Sequence, residues 1–568
     1  MHKPQRNLAR ALRECYSKRI IAYAYRIGEV IMRESGILFP IFSLPSKFGI
    51  GSFSKEAYEF VDFLERSGQG FWQILPVGPT GFGNSPYQPF SAFAGNPYFI
   101  SPEVLIEEGL LTWDEAGAAN FGSDVERVDY GALYENRFTL LKKAFSRFKE
   151  RANADEQAAY QAFLEKEAFW LEDYALYMSI KDAQGGKSWL DWDESLRTRE
   201  PAALKKATEE QADLVRFFKF LQYEFDKQWH RLREYANRKN VKIIGDLPFY
   251  VSLDGSDAWS HPEVFQMTEN LVPKVVAGCP PDAFSATGQR WGNPIYDWEH
   301  MKQNHYLWWL KRIERNYEFY DVIRIDHFHG FCDYYAIPYE DETAENGTLE
   351  KGPGIDLFLE LARALHKPAG NTGKAEAKTE AAEDLSSVSA DAKEPLPEEL
   401  LAELRIIAED LGNNTPENEA LLAATGFPGM KVLQYAFTSW DSYYVNHRHT
   451  NNCVVYTGTH DNTTSLAWFE EINEGQRDFA RKYINSRNTD AGGFVWDFIR
   501  EAYRSVADLC IIPLQDYLCK GREARINAPG TADGNWQWRL APNSLSEDLA
   551  RSIRELAEIY SRIPKTEE

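Results

Sequence analysis

Short apolar runs alternate along the chain with longer polar or amphipathic segments. Eight runs of strand character follow Gly36, at residues 37–41, 71–76, 241–246, 322–326, 405–409, 431–437, 453–457 and 509–514. Short runs rich in Val and Ile are typical of buried parallel strands, and most of the segments between them have helical spacing. The pattern predicts an α/β protein with a (β/α)8 barrel (TIM barrel). A doubly wound open sheet is the alternative.

The gap between the second and third runs is far too long for one crossover. Residues 78–91 are rich in Gly and Pro, which predicts a surface loop. Two apolar stripes at helical spacing follow, and we interpret both as core positions. They are Phe138, Leu141, Phe145 and Phe148, then Leu214, Phe218, Leu221, Phe225 and Leu232. Residues 79–240 are therefore predicted to form a mainly helical insertion subdomain between strands 2 and 3 of a catalytic barrel that spans 36–568.

Two segments differ from the rest of the chain. Residues 1–35 are interpreted as an N-terminal extension outside the fold; their apolar stretch is short, is broken by Arg26 and has no cleavage site for a signal peptide. Residues 367–397 consist mainly of Ala, Glu, Lys, Ser, Asp, Pro and Gly. Such a composition buries too little apolar surface to offset its ordering entropy, so we predict a flexible insertion.

Composition narrows the class of partner. The 568 residues include 63 Lys and Arg against 86 Asp and Glu, a net charge of −23 that argues against nucleic acid and anionic membranes. An aromatic share of 14% suits a neutral partner with flat apolar faces. No apolar run reaches the roughly 18 residues of a membrane helix. The 6 Cys form no C-x-x-C pair, which predicts a reducing cytoplasmic setting without disulfides or a zinc site.

Acidic residues end four of the eight runs. They are Asp246, Asp326, Glu409 with Asp410, and Asp461, which follows His460. A single Asp after a strand is usually a helix cap, but the carboxyl ends of barrel strands all meet on one face. We therefore expect these carboxylates to converge. Clustered carboxylates can separate into an ionised nucleophile and a protonated acid, which is the combination that glycoside chemistry requires.

The fourth run carries the first candidate for chemistry. Arg324 and Asp326 lie two residues apart on a strand, so they point to the same side, and buried charges are costly unless they are paired or used. We expect Arg324 to keep Asp326 ionised. Glu409 follows an apolar triplet whose desolvation could hold it protonated; a salt bridge to Arg405 at the barrel rim is the alternative.

The histidines suggest a competing hypothesis. His327-Phe-His329 and His447-Arg-His449 are H-x-H patterns that, with His460 and Asp461, could bind a metal in a barrel hydrolase. H-x-H is a weak pattern, and the first strand carries none. A further candidate is the polar loop at 280–294, with two large aromatic residues, which could form a platform or lid over a sugar ring.

Seven motifs resemble one family, the 4-α-glucanotransferases (amylomaltases or disproportionating enzymes) of glycoside hydrolase family 77. The resemblance covers roughly residues 35–540. The motifs lie at 84–98, 245–251, 280–294, 322–331, 407–412, 456–462 and 525–530.

The resemblance implies a role for each matching residue. Asp326 would be the nucleophile, Glu409 the general acid/base, and Asp461 the carboxylate that distorts and holds the donor sugar. The implied substrate-binding residues are Tyr87, Asp246, Gln289, Trp291, Arg324, His460 and Asn527. Tyr87 would stack on the donor ring, and Gln289 and Trp291 would arch over the acceptor.

The implied reaction is retaining transfer between maltooligosaccharides or starch- and glycogen-type α-glucans, with no cofactor and no metal. An α-1,4-glucan hydrolase and an inactive glucan-binding protein remain alternatives. The chain departs from the family pattern at 446–448, at Thr463, at Leu349 and at Tyr435. None of these departures affects the three carboxylates.

Overall fold

The computed structural model describes residues 33–81, 83–281, 285–366, 397–412, 415–531 and 533–565. The flexible insertion predicted at 367–397 lies outside the described residues except for Pro397, which begins a helix. The extension predicted at 1–35 also lies outside them, except that the first strand already begins at Glu34. The barrel thus begins two residues earlier than the sequence predicts.

Eight parallel strands close into a barrel, which confirms the predicted fold class. Twelve strands are numbered here in chain order: β1 Glu34–Leu38, β2 Phe71–Gln73, β3 Lys242–Leu247, β4 Val275–Cys279, β5 Gln289–Pro294, β6 Val322–Ile325, β7 Asp333–Pro338, β8 Thr348–Lys351, β9 Ile406–Ala408, β10 Gly429–Val432, β11 Cys453–Tyr456 and β12 Leu509–Pro513. The barrel order is β1-β12-β11-β10-β9-β6-β3-β2. All eight predicted runs contribute a barrel strand. The sixth starts earlier than predicted and ends at Val432, where the chain turns into the short 3-10 helix Leu433–Tyr435.

Alternate residues of each strand face two different cores. The barrel interior is filled by side chains from several strands, including Leu38, Ile244, Met430 and Ile511. Ile243, next to Ile244 on β3, packs instead into the larger core between the barrel and its helices. This alternation explains why the strands have near-continuous apolar sequences, since both faces are buried.

Helices surround the barrel and fill the insertion. Those between β2 and β3 are Pro102–Glu107, Trp113–Gly117, Tyr130–Arg151, Ala154–Lys166, Ala168–Ala183, Glu194–Arg197, Pro201–Glu210 and Ala212–Arg238, with Lys55–Arg66 before β2. The later helices are Ser256–Ser260, Trp298–Gln303, Leu307–Phe319, Ile355–Leu365, Pro397–Glu403, Pro416–Thr425, Ser465–Glu471, Glu474–Ile484, Ala491–Arg504, Leu514–Tyr517 and Glu547–Ile559. The two predicted apolar stripes lie on Tyr130–Arg151 and Ala212–Arg238 and pack into the core as expected. No helix of the described residues is long and apolar enough to cross a membrane.

A second, smaller sheet was not predicted. It is antiparallel, with strand order β5-β4-β7-β8, and it stands between β3 and β9 in the sequence. The segment at 280–294, predicted as a loop, contains β5. The first three residues of β5 are exposed, and so are all four residues of β8. Neither strand therefore has the apolar pattern of a buried strand.

Candidate active site

The acids that end four barrel strands converge at one mouth of the barrel, as the topology predicts. Asp246 lies on β3, Asp326 follows β6, Glu409 follows β9 and Asp461 lies beyond β11. Backbone hydrogen bonds fix the loops that follow β6 and β9: the N–H of Asp326 donates to Leu247 O, and that of Glu409 to Ile325 O, both at 3.0 Å. Neighbouring strand ends are thus fastened to each other beneath the carboxylates.

A single buried guanidinium lies among these acids. Nη1 of Arg324 is 2.6 and 2.7 Å from the two carboxylate oxygens of Asp246. The same nitrogen is 3.2 Å from Oδ1 of Asp326. Arg324 and Asp246 are both buried, whereas 28% of the Asp326 side chain is exposed. Asp246 is therefore the principal partner of Arg324, and Asp326 is the carboxylate that faces the open mouth.

Tyr87 closes this network from the insertion. Its hydroxyl lies 2.8 Å from Asp246 Oδ2 and 2.8 Å from His460 Nε2. Burial and the Asp246 carboxylate raise the pKa of Tyr87 well above its usual value, so the phenol keeps its hydrogen. Because that hydrogen is donated to Asp246, Nε2–H of His460 must donate to the Tyr87 oxygen. Burial lowers the pKa of His460, which favours the neutral ring with its hydrogen on Nε2.

Glu409 is held by backbone donors. Its Oε2 accepts from the N–H of His327 at 2.8 Å, and its Oε1 from the N–H of Leu411 at 3.0 Å. His327 has a left-handed backbone with φ of 50°, a conformation that costs a non-glycine residue about 1–2 kcal/mol. Backbone N–H groups thus fix both carboxylate oxygens of Glu409. The alternative salt bridge is not formed, since Arg405 lies over the ring of Tyr317 at 5.2 Å.

Asp461 is positioned by a loop far along the chain. Nδ2 of Asn527 donates to Asp461 Oδ1 at 2.7 Å. Arg525 donates to the main-chain oxygens of Asp461 and Asn527, at 2.9 and 2.7 Å, and so fastens the two loops to each other. Since 42% of the Asp461 side chain is exposed, its carboxylate remains accessible from the mouth.

The β4–β5 hairpin supplies the aromatic cover. Trp291 on β5 is 36% exposed, and its ring lies 5.1 Å from that of His327. Its Nε1–H donates to Oε1 of Gln289 at 3.1 Å. Both residues predicted to arch over the mouth therefore contact each other, and Trp291 also lies against His327, the residue after Asp326.

The pKa of Asp326 is shifted in the direction opposite to the sequence-based expectation. Burial raises the pKa of Asp326 well above its ordinary value, Arg324 opposes this, and the carboxylates of Glu409, Asp246 and Asp461 raise it further. The net direction is upward, which runs against the expectation that Arg324 keeps Asp326 ionised. At Asp326 the single guanidinium of Arg324 thus opposes both burial and three neighbouring carboxylates.

The metal hypothesis finds no support in the donor set. Both ring nitrogens of His449 are within hydrogen-bond distance of other groups, Nδ1 of Ser505 Oγ at 2.7 Å and Nε2 of Tyr444 O at 3.0 Å. His460 Nε2 is committed to Tyr87. Within the described ranges no group of three or more His, Cys, Asp or Glu side chains is arranged to hold a metal ion.

Sequence reasoning missed some contributors to the site. Arg525 lies inside a quoted motif but received no role, and the backbone function of His327 has no sequence signal other than its place after Asp326. Tyr250, whose ring lies 6.3 Å from that of Trp291, was also missed. Its position in the motif at 245–251 is the one signal that could have pointed to it.

A closed β/α barrel whose mouth holds four carboxylates, one buried arginine and an aromatic cover defines a barrel enzyme that acts on glycosidic bonds. Comparison with known proteins gives the family. Residues 39–545 match glycoside hydrolase family 77, described as 4-alpha-glucanotransferase. The chain belongs to this family.

Individual relatives agree along nearly the whole chain. A 4-alpha-glucanotransferase of Clostridium butyricum is 42% identical over 92% of this chain and 99% of its own length. One from Thermus thermophilus is 40% identical over 94% of this chain and 99% of its own. The amylomaltase of Streptococcus agalactiae, solved in complex with acarbose, superposes with a TM-score of 0.85 at 38% identity, covering 94% of this chain and 100% of that one.

Proposed function

We propose that the chain transfers a segment of an α-1,4-glucan to the 4-hydroxyl of another glucose or glucan by retaining double displacement. The observation that carries this proposal is the placement of Asp326 and Glu409. The two carboxylates follow neighbouring strands, and the N–H of His327, the residue after Asp326, donates to Glu409. They are thus fixed relative to each other at the open mouth, as a nucleophile and an acid must be.

In the first step, Asp326 attacks the anomeric carbon while Glu409 protonates the departing chain. The bond from the anomeric carbon to the leaving oxygen breaks, and an ester to Asp326 forms. Positive charge develops on the sugar ring in the transition state, which favours the ionised form of Asp326 at that moment. Glu409 supplies the proton that the leaving oxygen takes up.

In the second step, Glu409 acts as a base and removes the proton of an acceptor 4-hydroxyl, which attacks the anomeric carbon and releases Asp326. Transfer requires that the acceptor outcompete water. Trp291 and Gln289 support this role, because they cover the mouth beside His327 and can exclude water there. Tyr87, Asp246, Arg324, His460, Asp461 and Asn527 would hold the donor sugar.

The substrates proposed are maltooligosaccharides and starch- or glycogen-type glucans. Neutral sugars suit a site whose carboxylates outnumber its cations, whereas phosphorylated or nucleic-acid ligands would be repelled.

The purified protein and maltotriose alone test the proposal. Glucose together with a ladder of longer maltooligosaccharides is the expected result. Shortening to glucose and maltose would indicate the hydrolase instead, and unchanged maltotriose would indicate an inactive glucan-binding protein. Replacing Asp326 with Asn should abolish the ladder, and retained turnover would overturn its assignment as nucleophile.

A further inference from the structure

A cavity outside the catalytic mouth lies behind the loop that carries Glu409. Its volume is about 500 Å³, within the range of small-molecule sites. Residues from five stretches of the chain line it, among them His329, Asp410, Asn418, Ala423, Phe427 and Tyr443. No residue assigned to the catalytic or donor site lines it. Glu409 and Asp410 are adjacent, so the loop after β9 presents one acid to the mouth and the next to this cavity.

The walls have the mixed character that sugar rings require. The buried Phe427 is an apolar part of the lining, and Tyr443 is 41% exposed with Lys431 Nζ 3.8 Å from its ring centre. Asp410 and Asn418 supply oxygen acceptors. Oδ1 of Asn418 is buried, and among the described residues it has no hydrogen-bond donor. A buried acceptor without a donor is costly, so a turn of the Asn418 side chain toward the cavity that it lines would let a ligand hydroxyl satisfy this oxygen.

Two aromatic routes lead from the catalytic mouth toward the cavity. On one side the ring of Trp291 contacts His327, whose ring lies 4.0 Å from that of His329 on the cavity wall. On the other side the ring of Tyr435 lies 5.4 Å from that of Tyr444, which lies 5.8 Å from that of Tyr443. Tyr435 itself accepts a hydrogen bond from Asn462, the residue after Asp461, at 2.9 Å.

We infer that this cavity is a remote subsite for an α-1,4-glucan, which binds glucose units of a long acceptor chain beyond the catalytic mouth. The inference rests on the proposed function, since it extends the acceptor side of the same reaction. The lining carries Glu419 and Asp410, the latter paired with Lys431 Nζ at 3.5 Å, and within the described part of the chain it has no lysine or arginine, which favours a neutral ligand rich in hydroxyl groups over a phosphate. The inference predicts that a single glucose bound at the catalytic mouth does not reach the cavity.

Filling the cavity tests the inference, and the chain offers a matched control. Ala423 lines the cavity from the exposed surface of the helix Pro416–Thr425, whereas the next residue, Ala424, is also exposed but does not line it. Ala423→Trp should occupy the cavity, and Ala424→Trp adds the same side chain elsewhere. Starch serves as the donor, labelled glucose and labelled maltohexaose serve in turn as the acceptor, and the KM for each acceptor is measured.

For Ala423→Trp we expect the KM for maltohexaose to rise about five- to tenfold, because one or two hydrogen bonds and a ring contact are lost. The KM for glucose should not change. Asn418→Leu, which removes the unpaired acceptor without filling the cavity, should raise the same KM by a smaller factor. Ala424→Trp should change neither value. A maltohexaose KM that is unaffected by Ala423→Trp, or raised equally by Ala424→Trp, would overturn the inference.

Direct binding separates this inference from the proposed function. Maltohexaose is titrated calorimetrically against Asp326→Asn and against Asp326→Asn with Ala423→Trp. A subsite predicts weaker binding in the double variant, even if the wild-type protein were to show no transfer. Equal affinities with an active wild-type protein would leave the proposed function standing and refute the subsite alone.

Discussion

Arg324 offers the sharpest test of how the site is balanced. Its guanidinium is the buried cation that faces both Asp246 and Asp326. Its Nε–H lies against the sulfur of Met430 at 3.4 Å, so a methionine-sized side chain would meet a compatible wall there. Arg324→Met therefore removes the charge and keeps an apolar stem of comparable reach. Two buried or half-buried carboxylates then lose their common partner.

The size of the effect follows from burial. Removing one partner of a buried ion pair costs about 3–5 kcal/mol, a large share of the roughly 5–15 kcal/mol by which a protein is stable. The pKa of Asp326 should rise further, because Arg324 is the group that opposes burial there. A nucleophile must be ionised, so the acidic limb of the kcat/KM profile should move to higher pH. Each unit of movement costs about tenfold in activity on that limb.

Two companion variants give the comparison. Asp246→Asn removes a carboxylate that raises the pKa of Asp326 and leaves Arg324 to Asp326 alone, so its acidic limb should move to lower pH. In the double variant Arg324→Met with Asp246→Asn, the uncompensated buried charge is gone and much of the lost stability should return. Thermal unfolding and pH profiles of transfer from maltotriose measure both effects. The reasoning would be refuted if the acidic limb of Arg324→Met lay at the same pH as that of the wild type. It would also be refuted if the acidic limbs of Arg324→Met and Asp246→Asn moved in the same direction.

Other predictions concern single contacts. Tyr87→Phe keeps the ring contact with His460 but leaves His460 Nε2–H and one Asp246 oxygen without their hydrogen-bond partner. The kcat/KM for maltotriose should therefore fall about tenfold or more. A kcat/KM within about twofold of wild type would contradict the role of this hydrogen-bond network. Asn527→Ala removes the donor to Asp461 and should lower kcat/KM by a similar factor, with Asn535→Ala in the same loop as a control for loop integrity. Burial lowers the pKa of His449 to about 4, so on acidification the unfolded chain takes up a proton at this histidine before the folded chain does, and the free energy of unfolding should fall as pH drops from about 6.5 to about 4. His449→Gln should remove this contribution to the pH dependence of the free energy of unfolding measured with urea. The same pH dependence in wild type and variant would contradict the role of His449. A chelator should leave transfer from maltotriose unchanged, because Arg324 supplies the positive charge of the cluster; loss of activity that added metal restores would contradict this.

The barrel could be predicted because its strands are buried on both faces. Runs such as Val322–Ile325 and Cys453–Tyr456 carry almost no polar residue, and the topology of the fold then dictates that the acids after them converge. The second sheet gives no such signal. β8 is exposed at every position, so its sequence resembles a loop.

The contacts that hold the carboxylates were beyond the reach of sequence patterns. Tyr87 and His460 are 373 positions apart, and Asn527 and Asp461 are 66 apart, so no periodicity relates them. The left-handed turn at His327 is forced by tertiary contacts and not by a glycine. The protonation of Asp326 depends on the number of neighbouring charges, which becomes countable only once the strands are assembled. Pattern and topology therefore identify the acids, whereas their electrostatic balance is a property of the fold.

The central claim, that Asp326 forms a covalent bond with the sugar, can be measured directly. The variant Glu409→Gln retains the nucleophile but lacks the base of the second step, so a glucosyl-enzyme formed from a glycosyl fluoride, which needs no acid to depart, should accumulate. Mass spectrometry of the quenched and digested protein should find the added sugar on the peptide that contains Asp326. The same peptide without added mass, or the sugar attached to another residue, would contradict the mechanism.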